Sequence, residues 1–265
     1  MLMDGKELAK DIKAKIKAEI DDIKRIYNVN PTVASILVGD NQASQVYLNS
    51  QIKSYQDLGI GVQKYFFSKE ISEAYLLNLI DKLNKDTEVD GIMINLPLPP
   101  QISATKVLNR IKLIKDVDGF KAENLGLLFQ NNEDFISPST PAGIMALIEG
   151  YNIDLEGKDV VVVGRSNIVG KPLALLLIQS GATVQVCNSK TKNLSEKLQK
   201  ADIVVAAVGV PKLIKGKDIK ENAVVIDVGI NRVDGKLCGD VDFDEIFEKA
   251  SFITPVPGGV GPMTI

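Results

Sequence analysis

The chain contains no histidine. That absence excludes every Ser-His-Asp or Cys-His triad and every histidine-ligated metal. Any proton transfer falls to Lys, Asp, Glu, Tyr or Cys. Cysteine is nearly absent as well: Cys187 and Cys238 are the only two, too few for a disulfide framework or a thiolate metal site, and no metal is expected. The cytoplasm is the expected compartment. No apolar run approaches the roughly 18 residues that a spanning helix needs, so no membrane partner is expected. An excess of positive charge is also lacking, with 31 Lys and Arg against 34 Asp and Glu and a net charge of −3. That balance argues against a nucleic-acid backbone as partner. The opening MLMDGKELAKDIKAKIKAEI alternates charge with apolar residues, unlike a secretory signal.

What is present fits a globular protein. The 265 residues are 45% hydrophobic and 25% charged, enough for one large domain or two modest ones. Leu8, Ile12, Ile16, Ile20 and Ile23 recur at near-helical spacing, which predicts an amphipathic helix over 4–27. Strands are predicted at Thr32–Val38, Val62–Phe67 and Asp90–Leu96, with helices at Ala43–Leu58 and Ser72–Asn84 between them. This β-α-β-α-β order implies a parallel sheet. A loop-rich stretch follows over Lys115–Ser139, and Thr140 opens a helix to about Tyr151 that bridges two domains. The alternation then restarts, with strands at Asp159–Val163, Thr183–Cys187, Ile203–Ala207 and Val224–Val228, and helices at Gly170–Ser180 and Asn193–Ala201. The C-terminal TPVPGGVGPMTI reads as a Gly/Pro loop. The expected fold class is α/β: two α/β domains flanking a cleft, the second a Rossmann-type dinucleotide-binding domain. The expected boundaries are 1–138, with 251–265 returning to it, and 139–250.

The valine run 160–163 leads into Gly164-Arg165-Ser166-Asn167-Ile168-Val169-Gly170 and then an apolar helix. Strand, glycine turn and helix place backbone N–H groups and a positive helix end where a pyrophosphate would sit. The spacing is not a true G-x-G-x-x-G, and a tight βα turn without a ligand is the alternative. The next strand ends at Cys187-Asn188-Ser189-Lys190 with no acid to hold a ribose 2′-OH. Ser189 can hydrogen-bond a 2′-phosphate and Arg165 and Lys190 can neutralise one, which favours NADP over NAD. The alternative is that both cations are solvated surface charges. Val208-Gly209 and Gly229-Ile230 follow later strands and are candidates for the nicotinamide half.

The blocks GDNQASQVY, DGIMINLPLP, KDVDGF, GRSNIVGKP, DVGIN and TPVPGGVGPMT occur in this order. Together they resemble the methylenetetrahydrofolate dehydrogenase/cyclohydrolase (FolD-like) family over nearly the whole chain. The resemblance implies NADP- or NAD-linked oxidation of 5,10-methylenetetrahydrofolate to the 5,10-methenyl form. In most members the product is then hydrolysed to 10-formyltetrahydrofolate, and the protein is usually a homodimer. An edge strand of the second domain is the expected interface. The implied catalytic set is Tyr47, Gln51, Asn95 and Asp118. Ile94, Leu96, Pro257, Gly258, Gly259 and Val260 join Tyr47, Asn95 and Asp118 as substrate contacts, and Gly164, Arg165, Ser166, Ser189, Lys190 and Ile230 as cofactor contacts. Asp118 suits the pterin's amino and ring N–H pair. A turn or a divalent-metal loop is the alternative reading of Asp-Val-Asp-Gly. The Gly-Gly of the last block suits a close approach of ligand to backbone.

Two departures from the family pattern matter. The family's first catalytic block reads Tyr-x-x-x-Lys, but four residues after Tyr47 stands Gln51. The i, i+4 spacing puts both on one helix face. Lys53 lies roughly 200° around the helix from Gln51 and cannot take its place. The family's Gln before Leu-Pro-Leu-Pro is Asn95 here. The pair reads as one concerted change, the alternative being two independent neutral substitutions. Milder departures are Ser139 for a frequent Cys and Asn188 for a frequent His, and the chain ends at Ile265 where the family usually continues into a last helix. Hydride transfer requires no protein proton transfer, because the folate nitrogens stabilise the cation. Hydrolysis does require it, and an amide cannot take or release a proton at neutral pH. The expectation is therefore a dehydrogenase with hydrolysis absent or very weak. The rivals are the ordinary bifunctional enzyme and a non-catalytic folate- or dinucleotide-binding protein.

Overall fold

The computed structural model describes residues 1–40, 42–132 and 134–265, with the side chains of all but 42 and 43. Asn41 of the GDNQASQVY block lies outside them. In chain order the elements are α1 (Gly5–Tyr27), β1 (Thr32–Val38), α2 (Gln42–Leu58), β2 (Gly61–Phe67), α3 (Glu73–Lys85), β3 (Gly91–Ile94), α4 (Ala104–Arg110), α5 (Ala122–Phe129), α6 (Ser139–Gly150), β4 (Asp159–Val163), α7 (Gly170–Gln179), β5 (Thr183–Cys187), α8 (Leu194–Leu198), β6 (Ile203–Ala206), β7 (Val224–Asp227), β8 (Asn231–Val233), β9 (Lys236–Cys238), α9 (Phe243–Phe247), β10 (Phe252–Ile253) and α10 (Val260–Thr264). They form two compact α/β units.

One unit comprises Ile12–Leu127 and Asp134–Ile136. Its sheet has the order β2-β1-β3 and is parallel throughout. Alternation along β1 decides which helix packs where. Ala34, Ile36 and Val38 meet Leu76, Ile80 and Leu83 of α3 and Val107 of α4, while Leu37 faces Leu48 and Ile52 of α2. The Ser72 and Ser103 hydroxyls accept from the Tyr75 and Lys106 amides and start α3 and α4. β3 stops at Ile94, short of the expected Leu96, because Pro97 has no N–H to continue the ladder. The stretch expected to be loop-rich contains α5, whose period is masked by Gly126.

The other unit comprises Met1–Asp11 and Ser137–Ile265, with a short stretch from Leu128. Five parallel strands run in the order β10-β7-β6-β4-β5. Both faces are covered, as an all-parallel sheet requires. Ile144, Leu147, Leu173 and Leu177 of α6 and α7 pack on Val160 and Val162, and Leu198 and Ile246 lie with Val161 and Val163. Residues 251–265 were expected to return to the first domain. Instead β10 pairs with β7, and α10 packs on α6 with Met263 against Gly143. The last block is thus helical from Val260, where a loop was expected. The N-terminus joins this unit too: the Met3 amide donates to Ile253 O at 2.8 Å, and Met3 is fully buried. The β8–β9 hairpin turns at Asp234-Gly235, both with positive φ, as a two-residue turn of this hand demands.

Candidate functional site

In the first unit, α2 presents Tyr47, Gln51 and Tyr55 at successive four-residue spacings. Gln51 is 6% exposed, and its Nε2 donates to the Tyr55 hydroxyl at 3.4 Å. Its Oε1 is buried with no hydrogen-bond partner among the described residues. The Tyr55 hydroxyl in turn points to Met93 Sδ of β3 at 3.7 Å. Burial pushes the Tyr47 phenol well above its ordinary value, and the Asp118 charge adds to the shift. The same two causes push Tyr55 up to about 12. Tyr47, Gln51, Tyr55 and Asp118 therefore share one site, with both phenols neutral at pH 7. Lys53 is exposed. Tyr55 was not singled out in the sequence, although it repeats the Tyr47–Gln51 spacing one turn further on.

Asp118 is placed by its neighbours. Asp116 pairs with Ile92 beside β3, and its carboxylate accepts from Lys121 N at 2.8 Å and Asn124 Nδ2 at 2.7 Å. The buried Lys115 donates to the carbonyls of Leu83 and Asp86 at 2.9 and 2.6 Å. These bonds fix the loop on both sides of Asp118. Among the expected substrate contacts, Ile94 has its side chain in the core and Leu96 packs against that core, so Ile94 has only its backbone left for a ligand. Asn95 is turned back to β1, its Nδ2 donating to Ile36 O at 3.1 Å.

In the second unit, the glycine turn after β4 is a cradle that side chains would fill. A Cβ at Gly164 (φ +134°) would run into the Ala207 carbonyl, and one at Gly170 into the Gly164 carbonyl. Ser166 Oγ accepts from Val169 N at 3.1 Å and Gly170 N at 3.4 Å, so it closes the turn that leads into α7 and only its hydroxyl hydrogen remains to offer. Arg165, Ser189 and Lys190 are exposed. Asn188 shapes their loop: its Oδ1 accepts from Lys190 N at 3.0 Å, and its N donates to Thr191 Oγ1 at 2.8 Å. Ile230 is 63% exposed. The chain goes from β4 to β5 on one side and then crosses to β6 on the other, so the glycine turn sits at the point where strand order reverses.

The last block differs from expectation in cause. Gly259 is required by its own chain, since a Cβ there would meet Thr254 Cβ at 2.6 Å and Pro255 O at 2.8 Å. Val260 is 4% exposed in the core and offers a ligand only its backbone. Pro257 is exposed, and Gly258 is buried with φ +115°. Among the described residues no cluster of three or more His, Cys, Asp or Glu could hold a metal, and no helix is long and apolar enough to cross a membrane.

A five-stranded parallel sheet with a glycine turn at its switch point is an NAD(P)-binding α/β domain. Family comparison agrees and goes further. Residues 138–265 match the NAD(P)-binding domain of tetrahydrofolate dehydrogenase/cyclohydrolase, and residues 3–118 its catalytic domain. The chain belongs to the tetrahydrofolate dehydrogenase/cyclohydrolase family. It is 79% identical over 265 residues to the Bifunctional protein FolD of Fusobacterium nucleatum, covering all of this chain and 94% of that one. The bifunctional FolD structure from Campylobacter jejuni is 47% identical with a TM-score of 0.97, covering 100% of this chain and 94% of that one. The Trypanosoma brucei dehydrogenase-cyclohydrolase, solved with NADP and an inhibitor, is 35% identical with a TM-score of 0.96, covering 100% and 93%.

Proposed function

We propose that this chain oxidises 5,10-methylenetetrahydrofolate to 5,10-methenyltetrahydrofolate with NADP. The observation that carries the reading is the glycine cradle at Gly164 and Gly170, in a chain whose other unit groups Tyr47 and Asp118. When bound, NADP supplies the hydride acceptor. The chain's own part is orientation. The Asp118 carboxylate accepts from the pterin amino group and ring N–H. The neutral Tyr47 phenol packs beside the folate ring. Ser189, Arg165 and Lys190 suit a ribose 2′-phosphate where an NAD site would carry an acid. One C–H bond breaks as a hydride departs, and the cation left behind is shared by the two folate nitrogens, so no protein base is consumed. The T. brucei relative solved with NADP supports the choice of cofactor.

The names of the relatives favour the bifunctional enzyme, in which the methenyl product is hydrolysed to 10-formyltetrahydrofolate. One residue favours loss of that second step. Gln51 stands where the family's block carries lysine, and an amide cannot relay a proton at neutral pH. Mixing the protein with methylenetetrahydrofolate and NADP⁺ and following reduced cofactor and methenyl product separately decides between them. Enzyme-accelerated decay of methenyl gives the bifunctional reading; accumulation in step with reduced cofactor gives the other. Homodimerisation through the sheet edge at β5, in the cytoplasm, completes the proposal. Light scattering showing a monomer that persists at high concentration contradicts the dimer.

A further inference from the structure

Two buried aspartates of the NAD(P)-binding unit have no part in the hydride transfer proposed above. Asp240 is 0% exposed and Asp227 2%. Asp240 Oδ2 accepts from Val208 N at 2.7 Å and Gly209 N at 2.9 Å. Its Oδ1 accepts from Val210 N at 2.9 Å and Asn231 Nδ2 at 2.9 Å. Three consecutive backbone amides of the loop after β6 thus close on one carboxylate, the geometry of an anion-binding nest. The fourth donor belongs to the segment after β7. Asp227 completes a crossed arrangement. Its Oδ1 accepts from Gly229 N at 3.0 Å and Asp240 N at 2.9 Å, and its Oδ2 from Val241 N at 3.1 Å. A Cβ at Gly229 would run into the Asp240 carboxylate, and one at Gly239 into that of Asp227.

We infer that Asp240 is a positioning residue for the nicotinamide half of the dinucleotide, because its carboxylate ties the Val208–Val210 loop to the Gly229–Asn231 segment. The inference rests on the proposed NADP site. In an open parallel sheet the ligand lies beyond the carboxyl ends of the strands. The turn after β4 takes the pyrophosphate and the end of β5 the adenosine ribose, which leaves the ends of β6 and β7 for the other half. Each tied segment displays one apolar side chain to solvent, Val210 at 44% and Ile230 at 63% exposure. Exposed apolar groups held rigidly on a polar clasp suit a flat aromatic ring. Because Asp240 occupies the nest, its three amides are not offered to a cofactor phosphate.

Asp240→Asn keeps the shape but turns a donor toward amides that need an acceptor. The experiment measures calorimetric dissociation constants for NADP and for adenosine 2′,5′-bisphosphate, the half that does not reach these loops. Asp240→Asn weakens NADP by about tenfold or more, as loss of charge-assisted hydrogen bonds implies, while the bisphosphate changes by less than about twofold. Leu198→Ala, a core truncation in the same unit, lowers thermal stability without separating the two ligands. Equal NADP affinity in Asp240→Asn and wild type, or an equal loss of both ligands, overturns the inference. If Asp240→Asn does not fold, Asn231→Ala, which releases only the segment after β7, carries the test. Selective weakening of NADP supports the inference and unchanged NADP affinity overturns it. A wild-type chain that binds neither ligand overturns the dinucleotide reading, and the inference falls with it.

Discussion

Gln51 Nε2 lies 3.4 Å from the Tyr55 hydroxyl, one helical turn along α2, while its own Oε1 is buried without a hydrogen-bond partner among the described residues. Leaving such an oxygen unpaired costs on the order of 1–3 kcal/mol. The amide is therefore better suited to meeting a ligand donor than to holding the fold together.

Replacing Gln51 tests that position directly. Gln51→Lys puts a group of lowered pKa beside Tyr47 and Tyr55, because burial disfavours the charged ammonium. If the wild type lacks hydrolysis, the variant gains enzyme-dependent methenyl decay of about 10²-fold or more, the usual scale of acid–base assistance. Stopped-flow absorbance of the methenyl chromophore measures it. No gain over a wild type that already hydrolyses shows that the bifunctional enzyme works without this lysine.

Asp118 is expected to act on the folate and not on the cofactor. Asp118→Asn replaces one accepting oxygen by a donor and raises KM for methylenetetrahydrofolate by about tenfold to a hundredfold. KM for NADP stays within about twofold. Steady-state kinetics in both substrates separates the two. A rise confined to NADP contradicts the assignment.

Arg165 and Lys190 are expected to select the phosphorylated cofactor. The double variant Arg165→Ala, Lys190→Ala loses about tenfold or more in NADP affinity while NAD affinity barely changes, since only the 2′-phosphate loses its partners. Titration with each cofactor checks it. An equal loss for both shows that these cations serve the shared pyrophosphate instead.

Asp227 carries a pH signature. Burial raises its pKa from 3.8 to about 6, partly offset by three backbone amides and reinforced by the neighbouring Asp240. Between these values the folded carboxyl keeps its proton while the unfolded one releases it. Its contribution to stability therefore declines as pH rises from about 4 to about 6, by up to about 3 kcal/mol. Urea unfolding across this window shows a flatter pH dependence for Asp227→Asn than for wild type. Parallel curves contradict the shift.

Much of this was legible in the sequence wherever local pattern and tertiary role coincide. TVASILV and DVVVV are strands because a buried parallel strand needs unbroken apolar runs. Gly164 and Gly170 flank a turn whose backbone approach tolerates no side chain. The Tyr47–Gln51 pair was singled out by the resemblance to the family's Tyr-x-x-x-Lys block, and helix spacing put the two on one face. What was not legible is what distant segments decide. Met3 is buried by joining Ile253, a neighbour in space and not in sequence. Residues 251–265 look like a loop because Gly258, Gly259 and Pro262 hide a helix that forms only by packing on α6. Gly259 reads as a ligand-facing glycine, yet Thr254 and Pro255 account for it. The Asp234-Gly235 turn was a usable hairpin signal, but its strands are only three residues each. Asp227 opens the DVGIN block and Asp240 lies in none of the blocks, but the sequence signals the structural role of neither, since their partners are mostly backbone amides of distant segments.

The most direct test is a single reaction: purified protein, methylenetetrahydrofolate and NADP⁺, with reduced cofactor followed by its absorbance and a no-enzyme control for spontaneous methenyl hydrolysis. Reduced NADP forming one-for-one with oxidised folate is the predicted result. A protein that binds both ligands yet produces no reduced cofactor would contradict it.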